Sequence, residues 1–569
     1  MPKGDNDNKS ESSAASAAGT PAAGPSGAAG SSSGAGTRPR KRAVPRSGLI
    51  GGILSAVALV AAGGGLVSAA SLAPHSPASQ HLQAPVASVP AGSSVGVCPG
   101  PARLLEGTPV GTDPQFSPDS ATAKTAVSAA VLGSSAGVIP GSRLAPLKGA
   151  PLVEIAKSAA PAPATTAPAA GTPVLLAGVV PRRQVDNVSV LRSDAQDNRP
   201  AAAGALLSYT AEDGDLQGSA AAACQQPGND LWLVGATTSL GRSAVLNLTN
   251  ASSTPATVSL DLFGSQGLIQ APGSRGLLVA PGSTRSIILA GLAPGQERLG
   301  VRVRSAGGPV AAVIQQSVLR GLTPGGVDFI TPGTAPSERQ VVSGVAIEDP
   351  AGLAALTAKP GFADAGPALE IAVPGAADAV VEIKLYGRDG QKALPGGGVV
   401  TAKAGAVTEV SLAGVPAGTY TVAASSDVSF TAAARLTRGL RPEGASDVAF
   451  SAASARLGSQ HIVPVPGTGD RQLVFGAPDG AATVSYTPIT ADGKIRTPAT
   501  AKLAGGTTVS IPVPAEVGGS ALVGYVVSAA GDSAYGALLL GRGGRQDISA
   551  VAVAPEAAGA RQVGVTLGY

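Results

Sequence analysis

One twelve-residue pattern occurs three times from Ala244 onward, and it restricts the fold more than any other feature. ATVSLDLFGSQG (256–267), AVVEIKLYGRDG (379–390) and ATVSYTPITADG (482–493) each run from alternating residues into a glycine turn. In the first, Ala256, Val258, Leu260 and Leu262 alternate with Thr257, Ser259 and Asp261. In the second, Ala379, Val381, Ile383 and Leu385 alternate with Val380, Glu382 and Lys384; in the third, Ala482, Val484 and Tyr486 with Thr483 and Ser485. A period of two belongs to a strand with one buried face. Shorter strand-like runs precede each pattern (AVLNLTN, ALEIAVP, QLVFGAP), and two more follow it (RSIILAGLAPG then LGVRVRS, TEVSLAGVPAG then YTVAASS, TVSIPVP then LVGYVVS). Each unit closes with Arg-Gly, at Arg320, Arg438 or Arg542, and then an Asp before an apolar residue, at Asp328, Asp447 or Asp547. Asp230-Leu231 fits the same landmark, so the less regular residues 98–235 read as a divergent fourth unit.

A period of roughly 100–120 residues with some seven short strands is the size of an immunoglobulin-like sandwich. A propeller blade repeats every 40–50 residues or so; a propeller with several blades per repeat is the alternative. The expected class is all-β, with an irregular β domain at 98–235 and sandwich repeats at 236–347, 348–465 and 466–569. The junctions near 335–365 and 440–470 are expected to be the first sites of proteolysis. After residue 73 the only weak helical stretch is 119–131.

The N-terminal part obeys different rules. Leu49 to Leu72 is 24 residues without a charge, which makes a helix of about 36 Å, enough to cross a hydrocarbon core of about 30 Å. Arg38, Arg40, Lys41, Arg42 and Arg46 precede it, and no Lys or Arg follows until Arg103. This asymmetry predicts a transmembrane helix over 48–72 with a cytoplasmic N-terminus and the bulk of the chain extracytoplasmic. Val67-Ser68-Ala69 keeps a cleaved signal open as the alternative. Residues 1–47, poor in apolar side chains, read as a disordered cytoplasmic tail, and 73–97 as a flexible stalk. Residues 1–47 carry the whole net charge of +4, and the rest is balanced. The basic pI is therefore a membrane-flank signal and no nucleic-acid partner is expected. Aromatics at 3% leave cores built from Val, Leu, Ile and Ala, which are thin unless neighbouring units support them.

Cys98 and Cys224 are the only cysteines. Outside the membrane, where the compartment oxidises, they are expected to form a disulfide closing a loop of about 126 residues. Trp232 is expected near it, inside an apolar run. Two free thiols or an intermolecular bridge are the competing readings.

Chemistry is sparse. The histidines are His75, His81 and His461; two lie in the stalk, where a metal contact is a remote reading, and a Ser-His-Asp system would need His461. Gly133-Ser134-Ser135-Ala136-Gly137 matches the nucleophile-elbow pattern but lacks the strand before and the helix after. Glu212-Asp213-Gly214-Asp215 lacks the spacing of a calcium loop. Walker, CxxC and HExxH patterns do not occur. Arg298, Arg302 and Arg304 share one strand face, an ordinary solvated face or a stripe for anionic polymer. No catalytic, cofactor or metal residue is assigned.

CPGPARLL near a signal-anchor, followed by DLWLVGATTSLGRSAVLNLTNASSTPATVSLDLFGSQG after the second cysteine, resembles an actinobacterial family of membrane-anchored secreted proteins known only as a domain of unknown function. Its members are often encoded beside a glycosyltransferase, which implies a cell-envelope setting. The repeats are also similar to the tandem sandwich modules of bacterial surface proteins. The expected role is a non-enzymatic structural or adaptor protein of the envelope, its partners the membrane and envelope proteins or cell-wall polymer. The alternative is a carbohydrate-active enzyme with carboxylates between sandwiches.

Overall fold

The computed structural model describes residues 86–88, 91–105, 118–134, 137–158, 175–196, 199–441, 444, 446–556 and 562–564. The expected tail, the membrane span 49–72, His75 and His81 lie outside them. No helix among the described residues is long and apolar enough to cross a membrane. All of the described residues belong to one compact unit.

That unit contains four sandwiches, at residues 94–223, 230–330, 337–452 and 461–552, here modules 1 to 4, and all share one topology. Counting strands in chain order, one sheet runs first-sixth-third-fourth and the other fifth-second-seventh-eighth, all antiparallel; the fourth strand is two short segments in modules 2 and 3 (Gly267–Ile269 with Leu277–Val279, Gly390–Lys392 with Val399–Ala402), and the two-residue Glu516–Val517 of module 4 is left out of the count. Eight strands replace the expected seven. In module 3 the sixth and seventh strands are one 21-residue strand, Gly418–Arg438, that passes from one sheet to the other. Near its start the Tyr420 hydroxyl donates to Pro416 O at 2.7 Å, like the tyrosine corner of immunoglobulin domains. Strands that switch sheets make sandwiches, not meandering blades, so the propeller alternative does not hold.

The repeated pattern is the third strand of modules 2 to 4: Ala256–Gly264, Ala379–Gly387 and Ala482–Thr490. The residues of its apolar phase are buried in modules 2 and 3. Gly267 and Gly390 close two-residue hairpin loops with φ of 137° and 102°, a backbone that favours glycine. Each module has its own apolar core.

The modules are not beads on a string. The first-sixth-third-fourth sheet of each packs on the opposite sheet of the next. Val97 and Val190 of module 1 meet Ala251 and Ala311 of module 2. Trp232, Val234 and Phe263 of module 2 meet Ala372, Val407 and Ala433 of module 3. Val341 and Tyr386 of module 3 meet Tyr535 of module 4. Ile462 and Ile489 of module 4 return to Ala130, Leu132 and Ala177 of module 1, where Ala177 N donates to Gly493 O at 2.9 Å. Four head-to-tail contacts of the same kind thus close a ring. The eighth strands, Gly218–Ala223, Thr323–Ile330, Asp447–Ala452 and Ser549–Ala552, stand at its centre, each packed on the next.

Three expectations change. Segment 119–131 forms a strand, Lys124–Leu132, buried on both faces because one lies in its own core and the other in the seam with module 4. Segment 73–97 includes two strands: Val86–Ser88, paired with Gln562–Gly564, and Ser94–Cys98, the first of module 1. An unexpected α-helix, Pro350–Thr357, starts where the Asp349 carboxylate accepts from Gly352 N at 2.7 Å and proline takes the first helical position.

Cys98 and Cys224 form a disulfide that ties the end of the first strand of module 1 to the residue after its eighth. Trp232 is not beside it; it packs in the seam between modules 2 and 3.

Limited proteolysis of the full chain should leave one resistant fragment beginning near residue 84 and ending near 556. Transient fragments ending near 335 or 455 would show instead that the modules open independently. Alkylation in denaturant should find thiols only after reduction. Reduction should lower stability by about 5 kcal/mol in the chain-entropy model, read as a lower denaturant midpoint.

Candidate functional site

Two buried carboxylates sit where the eighth strands meet. Asp447, 1% exposed, takes amide hydrogens on both oxygens. Oδ2 accepts from Ser219 N at 2.9 Å and Ile548 N at 3.0 Å; Oδ1 accepts from Val327 N at 3.1 Å and Val448 N at 3.0 Å. These donors come from all four modules. Asp328, fully buried, accepts from Phe450 N at 2.9 Å, the Ser549 hydroxyl at 2.8 Å and Ala221 N at 3.4 Å. It too reaches every other module. Glycine makes the approach possible: a Cβ on Gly218 or Gly326 would stand 2.6 or 2.3 Å from Asp447 Oδ1, and both have positive φ, 144° and 109°.

No cation pairs with Asp328 or Asp447 among the salt bridges of the described residues. Burial therefore raises both carboxyls, Asp328 to about 8 and Asp447 well above its ordinary value, against the pull of the amide donors. The two differ in what they can accept. Four amide donors and no acceptor around Asp447 suit only a carboxylate. Asp328 faces a hydroxyl, which can receive a proton as readily as give one, so Asp328 is the member that holds a proton at neutral pH.

The third landmark, Asp547, is nearly buried and pairs with Arg542. Asp230 is no fourth equivalent: it lies in the first strand of module 2, half exposed, on Arg302 at 2.6 Å. Module 1 supplies backbone amides at Ser219 and Ala221 where the other modules carry aspartates.

The Arg-Gly landmarks tie the ring. Arg320 reaches Asp364 of module 3 at 2.6 Å, Arg438 reaches Asp547 O of module 4 at 3.2 Å, and Arg542 reaches Glu212 of module 1 at 3.0 Å. Near Arg320, Arg435 lies 3.1 Å from both Glu370 and Glu409, and Arg298 is 3.2 Å from Glu409. Burial pushes Glu370 up to about 7 despite Arg435.

The other candidates are occupied. Arg302 pairs with Asp230 and lies 5.0 Å over Trp232, and Arg304 pairs with Asp261, so no free basic stripe remains. Trp232 is 5% exposed and stacks on Phe263, which removes it as a sugar platform. The buried His461 accepts from Gly458 N at Nε2 and lies 2.9 Å from Ala554 O at Nδ1, leaving neither nitrogen for a serine. In the Gly133–Gly137 pattern Gly137 N donates to Ser134 O at 2.9 Å; Ser135 and Ala136 lie outside the described residues. Asp213 holds the loop at 120–122 through Ser120, Thr122 and Ala121, hydrogen bonds that lower its pKa, and Glu212 binds Arg542 and Arg545. No metal-ligating group of three occurs among the described residues.

Beyond the aspartates the eighth strands end at Ala223, Ile330, Ala452 and Ala552, and the segments that follow surround an axial cavity of about 300 Å³. Leu206, Leu231, Ile462, Leu538, Val551 and Val553 form its apolar wall, and no Asp, Glu, Lys or Arg lines it. Ser94 and Ser454 belong to its lining, but their hydroxyls have no accessible surface there and no hydrogen-bond partner. Sequence reading missed this cavity, because its walls come from four distant, alanine-rich segments.

A family model, described as a family of unknown function (DUF5719), matches residues 179–514. The match begins in the fifth strand of module 1 and ends just past the fifth strand of module 4. No curated protein and no solved structure matches.

The aspartates predict opposite responses to one substitution. Asp328→Asn imitates the protonated acid and should cost less than about 1.5 kcal/mol. Asp447→Asn must turn an NH2 toward amide donors whichever way it faces, and should cost on the order of 4 kcal/mol. Because the folded pKa of Asp328 lies above its unfolded value near 3.9, the folded state binds the extra proton. Stability from this group is full below that unfolded value and falls as pH rises toward about 8. Denaturant midpoints from pH 5 to 8 should decline for the wild type and decline less for Asp328→Asn. Equal costs for the two variants, or an unchanged slope, would refute the assignment.

Proposed function

We propose that this chain, which belongs to the DUF5719 family of unknown function, is a non-enzymatic structural or adaptor component of the cell envelope. In this reading residues 49–72 hold it in the membrane with residues 1–47 in the cytoplasm, and the ring of sandwiches stands outside the cell. The closed ring carries the proposal. Four modules locked by a common hub present their outer strands and loops in one fixed arrangement, which suits a platform for other envelope proteins or wall polymer. The Cys98–Cys224 disulfide adds support, since such bonds persist in oxidising compartments.

The enzyme alternative needs two carboxylates free to work on one sugar. The acids nearest a cleft between sandwiches, Asp364 and Glu409, are each held by two arginines, which favours a structural use.

Topology and partners are tested together in intact, wall-stripped cells. Added protease should spare a tag on residue 1, cut beyond about residue 75 and release the resistant fragment that begins near residue 84. Crosslinking in membranes should then join the ring to an envelope protein or to wall polymer. Loss of the N-terminal tag would reverse the orientation. A mature chain beginning near Ala70 in the medium would replace the anchor with a cleaved signal.

A further inference from the structure

We infer that the cleft between modules 2 and 3 binds one monoanionic oxyanion, a carboxylate or phosphodiester group of the kind that acidic polymers carry. The inference goes beyond the adaptor reading and stands without it. The cleft encloses about 360 Å³. Arg242, Arg298 and Arg320 come to it from module 2, and Arg435 from module 3.

Charge does not balance there. The four guanidiniums share the walls with Asp364, Glu409 and Glu297, and Glu297, 3.8 Å from Arg298, is 75% exposed. The carboxyl behind them, Glu370, is buried, its Oε2 has no hydrogen-bond partner, and burial raises it to about 7. With a proton on Glu370, four cations face three anions. The excess is felt locally: burial and then the nearby Arg242 and Arg435 lower the pKa of Arg320, against the pull of Asp364.

The guanidiniums differ in what they have left to give. Arg242 hydrogen-bonds through all three nitrogens, to Asp364, Leu240 O and Gly361 O. Arg435 does the same with Glu370, Glu409 and Gly366 O. Among the hydrogen bonds of the described residues, Arg298 donates only from Nε, to Glu409 at 3.2 Å. Its side chain is 29% exposed, so the terminal nitrogens form an open fork on the cleft wall. Such a fork matches the paired oxygens of a carboxylate or phosphodiester. The attraction is stronger in a partly closed cleft than in open water.

The test uses the purified full chain at low ionic strength, with glucuronate and glycerophosphoglycerol as probes, both monoanions between about pH 5.5 and 8.5. Calorimetry should show one site for at least one of them, and the tighter binder tells which group the site takes. Glucose and glycerol should not compete. Bound probe should protect Arg298 from modification by phenylglyoxal. Arg298→Gln should weaken binding about tenfold or more. Glu297→Gln changes an exposed side chain and removes a competing carboxylate, so it should tighten binding about threefold. Glu370 is faced by Arg435, Glu409 and Arg298; its protonation removes a negative charge, so affinity should be about three- to tenfold higher at pH 6 than at pH 8. Glu370→Gln should level that difference. Should Arg298→Gln fail to fold, Glu297→Gln and the protection of Arg298 carry the test. No binding of either probe, no protection of Arg298, or an affinity that Glu297→Gln leaves unchanged would each overturn the inference.

Discussion

The register of the four modules depends on two buried acids that have no cation, Asp447 as a carboxylate and Asp328 holding a proton. Asp447 and Asp328 are buried where four strands from four modules converge. Removing a carboxylate from water costs several kcal/mol, and here backbone amides must offset it. Asp447 obtains those amides only if Ser219, Val327, Ile548 and its own neighbour Val448 point at it together. The hub is thus an all-or-none condition on the relative register of the modules. A one-residue slip in any eighth strand would turn its amide away and leave a buried charge short of donors. Gly218 and Gly326 belong to the same condition, since a side chain at either would occupy the space of the carboxylate.

The seams explain how so plain a composition supports so large a body. With few aromatics, a single module has little to bury on its own. The ring gives many strands a second buried face. Lys124–Leu132 is covered on both sides, and alanines such as Ala311, Ala372 and Ala433 let facing sheets approach closely. A tandem array in an open row would leave one such face bare at each end. Closure covers both, and the arginines at 320, 438 and 542 repeat one polar tie around the circuit.

The sequence showed the strands and hid the ring, for one physical reason. Periodicity reports which face of a strand is buried in its own module. It makes Ala256 to Leu262 legible and, with the glycine turns, identifies a sandwich repeat. It cannot tell an outward residue bathed in water from one pressed on another module. The trace was nevertheless present. Each repeated third strand breaks its alternation near its end, at Leu262-Phe263, Leu385-Tyr386 and Pro488-Ile489, and Phe263, Tyr386 and Ile489 are the residues that meet the neighbouring module. Module 1 looked irregular in part because Lys124–Leu132 and Gly218–Ala223, alanine-rich and buried on both faces, have no alternation left to read. The Asp landmarks were visible as a repeat, but nothing local distinguishes Asp328 and Asp447, which enter the hub, from Asp230, which sits at a half-exposed edge.

The cavity follows from the same geometry. Four strands around an axis leave a channel that side chains must fill. At the hub the aspartates and their amides fill it. Farther along, the surrounding residues are small: Ala202, Ala203, Gly204, Ala453 and Ala554. Small residues at the meeting point of all four modules leave the channel open there, whereas the aspartates and their amides close it at the hub.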